Sequence, residues 1–399
     1  MIPSPLSRNV PSVPRLCIAT GRYFRSGETF VNRHVECLFG GNTVVVCGRI
    51  TGQAPHGKPV FSRLRQSMNP RDMVLAPWYL VQNNRRYRAP FVPFGTCRRK
   101  LAAFLQREQV DAVLAEFGSQ AVSLWPVCKS EGIPVFSYFR GRDASLYLKN
   151  ANRVEGYRRM MPNLAGIFAV SQFLLDNLAA QGLTHPNAHV VPSGTDIEAF
   201  KPGKKTPGQM LFVGRFVEKK APQLTMECFL SVAQRHPHAR LDMVGDGPLL
   251  KVCRAIAARS GYSDRIRFHG RQSTQQVQAH LSRAEIFVLH SVMGQDGETE
   301  GLPSAIQEAM AAGAAILSTR HAGIPELVET GVTGALVDEL DAAGLIAAMS
   351  AMLDDPAKTR RMGAQARETA LTRVDYRRLY QKVESVIRQE ITAKAGANC

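Results

Sequence analysis

The sequence predicts an α/β protein made of two doubly wound domains, each a parallel sheet with helices on both faces. Three observations carry this expectation. Short apolar runs alternate with helix-periodic segments throughout, the pattern that buries a parallel sheet between helices. The chain has 399 residues, more than one ordinary core organises, so two domains of roughly 200 residues are expected. A polar stretch with Pro and Gly at both ends, Ser193 to Gly208, interrupts the alternation near its middle and reads as a linker.

In order, residues 1–12 are Pro/Ser-rich and read as disordered, and Arg15 to Thr20 as a first strand ending in Gly21. A helix carrying Val31, Val35 and Leu38 follows, then a strand from Thr43 to Cys47. Residues 50–72 lack a clear period and read as an irregular insertion. Leu101 to Arg107 is helical, Ala112 to Ala115 a strand, Gln120 to Ser130 a helix, and Val135 to Tyr138 a strand. Helices over 144–161 lead to a strand, Ile167 to Val170, and Ser171 caps the next helix. Val190-Val191-Pro192 closes the first half. A second alternation runs through strands at 209–213, 240–244, 265–268 and 285–290, with helices at 222–235, 248–260 and 274–283. Helices near 341–352 and 356–371 precede a last one at 375–392, striped with Tyr376, Leu379, Tyr380, Val383 and Ile387. The domain boundaries read 1–192, linker 193–208, 209–374, and 375–399 as a terminal helix.

Net charge is +17, with 45% apolar and 21% charged residues. This is a globular composition, and no apolar run reaches the roughly 18 residues a membrane span needs. No signal peptide is visible in the first 25 residues. The eight cysteines include no C-x-x-C pair, which suits buried thiols in a reducing compartment rather than a disulfide framework or zinc site. The charge is lopsided: residues 1–190 hold 24 Lys and Arg against 10 Asp and Glu, and residues 191–399 hold 26 against 23. Clusters fall at Arg85-Arg86-Arg88 and Arg98-Arg99-Lys100. A basic face attracts anionic lipid, an acidic substrate or nucleic acid, and no nucleic-acid-reading motif accompanies it.

The most informative stretch runs from Asp296 to Val337. An acidic loop with Asp296, Glu298 and Glu300 feeds Gly301-Leu302-Pro303, where Pro303 suits a first helical position. Ala305, Ile306, Ala309 and Met310 recur at helical spacing, and Gly313 stops the helix. Unpaired N–H groups and the positive end of the helix dipole make such a terminus an anion site. Glu300 and Glu308 flank it, and carboxylates accept hydrogen bonds from vicinal hydroxyls. An ordinary strand-turn-helix unit with solvated glutamates has the same pattern. Phe212-Val213-Gly214-Arg215 ends a strand, and Arg215 with Lys220 five residues on supplies a planar and a point cation for one phosphate. Gly245 sits in the strand-to-helix turn Val244 to Leu249, and Arg271 ends Phe268-His269-Gly270-Arg271.

These residues resemble the family 4 retaining glycosyltransferases of the GT-B fold. The resemblance rests on E-G-L-P-x-x-x-x-E-A-M-A-x-G containing Glu300 and Glu308, then G-I-P-E and G-x-x-G-x-L-V. It implies two Rossmann-like domains facing across a cleft, with the terminal helix crossing back onto the first. Arg215 and Lys220 match the family's G-R-x-x-x-x-K grip on the donor pyrophosphate, with Ala221 where a glycine is usual. Glu300 would orient sugar hydroxyls and Glu308 bind the ribose. Gly214, Gly245, Gly301, Leu302 and Pro303 would line the donor site, with the base near Arg271. Ser26 to Val31 resembles the S-E-T-F-[IV] motif of the exopolysaccharide branch, interrupted by Gly27, which would lie under the phosphates. Glu28 and Glu116, in Ala115-Glu116-Phe117-Gly118, fall on the acceptor side, Glu116 either positioning a hydroxyl or forming a buried salt bridge. Relatives often read F-H-G-x-D where this chain has Phe139-Arg140-Gly141-Arg142-Asp143. Arg140 cannot serve as a general base, and either binds an anionic group or pairs with Asp143.

The expected function is retaining, metal-independent hexosyl transfer in exopolysaccharide or cell-surface glycan biosynthesis. The donor is a nucleotide-diphosphate sugar, UDP favoured and GDP open, and the acceptor a lipid-linked or anionic saccharide. Catalytic candidates are Glu300, Arg215, Lys220 and Arg140, with Asp143 beside them on the acceptor side. No cofactor, metal or nucleic acid is expected, and Asp296-x-Glu298 is not read as a metal site. The basic first domain predicts a peripheral position on the cytoplasmic face of the membrane. The rival readings are a non-catalytic nucleotide-sugar or glycan-binding protein, an epimerase or phosphorylase on the same fold, and a nucleic-acid-binding protein.

Overall fold

The computed structural model describes residues 13–24, 29–50 and 57–397. Residues 1–12 and the expected Ser26, Gly27 and Glu28 site lie outside them. The chain divides into two compact units, Met1–Val170 with Leu174–Val191 and Tyr380–Cys399, and Ser171–Phe173 with Pro192–Leu379.

In the first unit, β1 (Leu16–Tyr23), β2 (Thr43–Ile50), β3 (Val60–Ser62), β4 (Ala112–Glu116), β5 (Val135–Phe139), β6 (Gly166–Ala169) and β7 (Ala188–Val190) form one parallel sheet. Its order is β3-β2-β1-β4-β5-β6-β7. The chain builds outward from β1 through β3, then restarts at β4 on β1's other side. That is a topological switch point, where the strand ends leave a crevice. β4 and β5 are buried along their whole length, the signature of strands covered on both faces. The accompanying helices are α1 (Thr29–Cys37), α2 (Pro70–Tyr87), α3 (Gly95–Arg107), α4 (Gly118–Ser130), α5 (Ala151–Met160) and α6 (Gln172–Ala179). Within the insertion expected over 50–72, the described residues 57–72 are not irregular throughout: they contain β3 and the start of α2. Asn69 caps α2, accepting the Asp72 N–H at 2.7 Å, and Pro70 opens it.

The second unit repeats the plan. Its strands are β8 (Thr206–Val213), β9 (Arg240–Val244), β10 (Ile266–Gly270), β11 (Ala284–Leu289), β12 (Ala315–Thr319) and β13 (Gly334–Val337). They form a parallel sheet of order β10-β9-β8-β11-β12-β13, so the switch falls between β8 and β11. β8 starts at Thr206, inside the stretch expected as linker, because its first residues pair with β11 at Ala284↔Thr206. The helices are α7 (Pro222–Ala233), α8 (Leu250–Arg259), α9 (Thr274–Arg283), α10 (Ser304–Ala311), α11 (Ala342–Asp354) and α12 (Pro356–Arg373). The last helix, α13 (Tyr376–Ala397), begins in the second unit and continues in the first. Its expected stripe is real within the first unit, where Tyr380, Val383 and Ile387 are buried.

Candidate functional site

The second unit gathers charge where β8 and β11 diverge. After β8, Gly214 and Arg215 enter a turn that carries Lys219 and Lys220 into a short helical segment and Ala221, at φ 37°, into α7. After β11, the loop over 290–303 brings Glu298 and Glu300 back against those lysines. Lys219 Nζ lies 2.7 Å from Glu298 and 3.2 Å from Glu300, and Lys220 Nζ lies 3.3 Å from Glu300. Burial alone would raise the Glu300 carboxyl, but the ammonium groups of Lys220 and Lys219 outweigh it and hold it at about 2. Lys220 is pushed down from the usual lysine range by burial, and Glu300 opposes that shift. Glu300 is therefore ionised near neutral pH. Arg215 is exposed and makes no ion pair among the described residues.

The position of Glu300 is fixed by a residue that the sequence did not single out. His321, two residues past β12, accepts the Glu300 backbone N–H at Nε2 (3.2 Å), and its Nδ1 meets Glu339 at 2.6 Å. That pairing sets the tautomer, since a neutral ring donates at one nitrogen and accepts at the other. Only its closeness to Gly-Ile-Pro-Glu marks His321 in the sequence. The Glu298–Lys219 pair explains Asp296-x-Glu298: Asp296 Oδ1 accepts the Glu298 N–H at 2.8 Å while Glu298 holds the lysine.

Gly301, Leu302 and Pro303 are buried and lead into α10. Pro303 is the residue before the helix, at φ −61° and ψ 125°, and Ser304 is the first helical residue. The extended ψ corrects the expectation that Pro303 opens the helix. Glu308, half-buried, lies on α10 one turn beyond Ser304. Gly245 follows β9 at φ 137°, where a Cβ would come within 1.8 Å of the Gly214 carbonyl oxygen. The Gly214 N–H bonds Val244 and the Gly245 N–H bonds Gly270, at 3.0 and 2.8 Å. The three strand ends are stitched together through glycine. Arg271, next along, is exposed.

Arg140, Glu116 and Asp143 fall in the first unit and do not form one polar site. Arg140 Nε donates to Glu116 Oε2 at 2.7 Å, and its guanidinium lies 3.9 Å from the ring centres of both Phe30 and Tyr138. The other Glu116 oxygen meets His34 Nδ1 on α1. All three side chains are at most 5% exposed. Burial would raise the Glu116 carboxyl, yet Arg140 and His34 hold it at about 2. Of the two roles open to Glu116, the geometry is that of the buried salt bridge. The expected Arg140–Asp143 side-chain pair gives way to Arg140–Glu116. Asp143 instead accepts backbone N–H groups of Gly118 (2.9 Å), Arg140 (3.0 Å) and Gly141 (3.1 Å), pinning the loops after β4 and β5 together.

Among the described residues one group has metal-ligand character: Asp242 on β9, His269 on β10 and His280 on α9. Asp242 lies 3.1 Å from His269 and 3.8 Å from His280, a carboxylate flanked by two imidazoles. The seven described cysteines form no disulfide, and among the described residues no helix is long and apolar enough to cross a membrane.

Two family models match the chain. One, described as Glycosyltransferase Family 4, covers residues 41–199, and the other, Glycosyl transferases group 1, covers residues 195–369. The chain belongs to the family 4 glycosyltransferases. This glycosyltransferase is 28% identical over 306 residues to the putative colanic acid biosynthesis glycosyltransferase WcaL of Escherichia coli strain K12, with 74% of each chain covered. It is 29% identical over 213 residues to the amylovoran biosynthesis glycosyltransferase AmsK of Erwinia amylovora, with 52% of each covered. Among solved structures, Anabaena Alr3699/HepE in complex with UDP is similar at TM-score 0.76 and 16% identity, covering 94% of this chain and 100% of that one. The sucrose-phosphate synthase of Thermosynechococcus elongatus is similar at TM-score 0.71 and 18% identity, covering 95% and 100%. These likenesses share the GT-B fold.

Proposed function

We propose that this glycosyltransferase moves a sugar, with retention, from a UDP-sugar to a lipid-linked saccharide during exopolysaccharide assembly, without a metal ion. The observation that carries the reading is the Lys220–Glu300 pair beside an uncommitted Arg215 at the β8/β11 switch point. Arg215 and Lys220 take the donor diphosphate, and the first N–H groups of α10 add a fixed positive field. Glu300, its backbone positioned by His321, accepts from sugar hydroxyls, and Glu308 accepts from the ribose. The bond from the anomeric carbon to the phosphate oxygen breaks and one to the acceptor oxygen forms on the same face. The leaving phosphate takes the acceptor's proton. The cations stabilise the departing charge, so the bound ion that a D-x-D site would supply is not needed.

The exopolysaccharide assignment is supported by the names of WcaL and AmsK, and UDP by the UDP complex of Alr3699/HepE. A non-catalytic chain loses its main motive, because Arg140 is committed to Glu116 inside the first unit. The net charge of the first half supports a peripheral place on the cytoplasmic face of the membrane, with the acceptor taken by the first unit.

Calorimetric titration with UDP, GDP and ADP tests the donor site. UDP is expected to bind, and Arg215→Ala to weaken it about tenfold or more by removing a charge-assisted contact. Tighter binding of GDP would move the assignment to a GDP-sugar. Binding of none, or equal binding by the variant, removes the proposed grip.

A further inference from the structure

α2 is built inside out. Its packed face carries Asp72, Ala76, Tyr79, Asn83 and Tyr87, spaced i, i+4, i+7, i+11 and i+15. Asp72 accepts the Thr96 N–H at 2.7 Å, Asn83 donates to the Val92 carbonyl at 2.9 Å, and Tyr79 stacks on Phe94 with centres 4.8 Å apart. The apolar residues point outward instead: Met73 is 63% exposed, Val74 79%, Trp78 56% and Val81 58%. Val74, Trp78 and Val81 form one stripe at i, i+4 and i+7. An ordinary surface helix has the reverse arrangement, apolar face to the core and polar face to water. Leaving such a face in water forgoes the burial that stabilises most helices.

The exposure is local. Of the fourteen large exposed hydrophobics among the described residues, eight lie between Leu64 and Phe91, and Phe91 itself is 79% exposed. Residues 63–100 hold nine Lys and Arg and one acidic residue, the buried Asp72. Arg65 and Arg71 lie at one end of the stripe, and Arg85, Arg86 and Arg88 at the other, all exposed. An indole and aliphatic side chains flanked by arginines, with no exposed carboxylate among them, match the boundary of an anionic bilayer. There the apolar residues enter the acyl edge and the cations stay with the headgroups.

We propose that the outward face of α2, with Phe91, is the surface by which this glycosyltransferase docks on anionic phospholipid, Trp78 entering the acyl boundary and Arg85, Arg86 and Arg88 contacting lipid phosphates. This rests on the membrane-associated reading above and assigns it to one helix. The charge of the patch commits the occupant to a lipid surface, since a second copy would bring the same cations against each other.

The test is co-sedimentation with vesicles of phosphatidylethanolamine and about 30% phosphatidylglycerol, for the full chain and for Val74→Asp/Val81→Asp. Both positions are exposed, and unchanged circular dichroism and UDP affinity verify that the variant is folded. The expected result is binding by the parent chain and an affinity lower by about tenfold or more in the variant. Brominated lipid should quench the parent's tryptophan emission and spare Trp78→Phe. If the parent binds, the variant binds equally and no quenching occurs, α2 is the wrong surface while membrane association stands. If the parent does not bind at low salt, both readings fall. A concentration-dependent dimer, abolished in the variant and indifferent to vesicles, would overturn the proposal in favour of self-association.

Discussion

Arg215 and Arg140 are two arginines that the sequence places side by side as catalytic candidates, and their surroundings separate them. Arg215 is exposed and carries no ion pair among the described residues, so its loss should leave folding untouched and act on ligand alone. Arg140 is enclosed by Glu116, Phe30 and Tyr138, so its loss takes one of two partners from a buried carboxylate. Arg140→Ala is expected to cost about 3 kcal/mol or more in urea denaturation, the usual penalty for breaking a buried ion pair from one side. Glu308→Ala, on a half-buried helix position, should weaken UDP by about tenfold with little change in melting temperature. An unchanged UDP affinity would remove the ribose role. The meeting of Glu300 with Lys220 was legible because each lies within a single motif. The Arg140 pairing was not: Glu116 is 24 positions away, and His34, which meets the other Glu116 oxygen, sits on another element, joined only when the sheet forms.

Elements differ in the same way. β4, β5 and β11 were readable as short, mostly apolar runs, and α13 through its stripe, because each hides its apolar residues in the direction its period predicts. α2 was not recognised. Its periodicity is present, but the face that packs is polar and Pro77 lies inside it, so no stripe of core residues marks it. Tight turns can be tested directly. Gly245 combines φ 137° with a close approach to the Gly214 carbonyl, so Gly245→Ala meets backbone strain and a backbone clash together. It is expected to destabilise by more than about 3 kcal/mol, measured by chemical denaturation. A variant as stable as the parent would mean that the β8 and β9 ends can move apart.

At the scale of the whole molecule, each unit keeps a buried carboxylate at about 2, Glu116 in the first and Glu300 in the second. A carboxyl whose folded value lies below its unfolded one stabilises fully above the unfolded value, near 4.5. That contribution is lost as pH falls toward the folded value. Stability should therefore decline below about pH 4.5 and continue to decline toward pH 2. Glu116→Gln supplies the control: its deficit against the parent should be constant from pH 7 to 5 and shrink below about 4.5. A deficit that does not change with pH would mean that Glu116 contributes through packing rather than charge.

The split of α13 between the units has a consequence for the order of events during synthesis. A ribosome releases the first unit's strands early, but Tyr380, which packs edge-on to His34 with ring centres 4.8 Å apart, is made only after the second unit. So is Glu384, whose carboxylate accepts the Phe39 N–H at 2.7 Å. The first unit thus waits for a segment translated after the second. A stop codon shortly before Tyr380 would leave the second unit nearly whole and the first, already emerged, without its final helix.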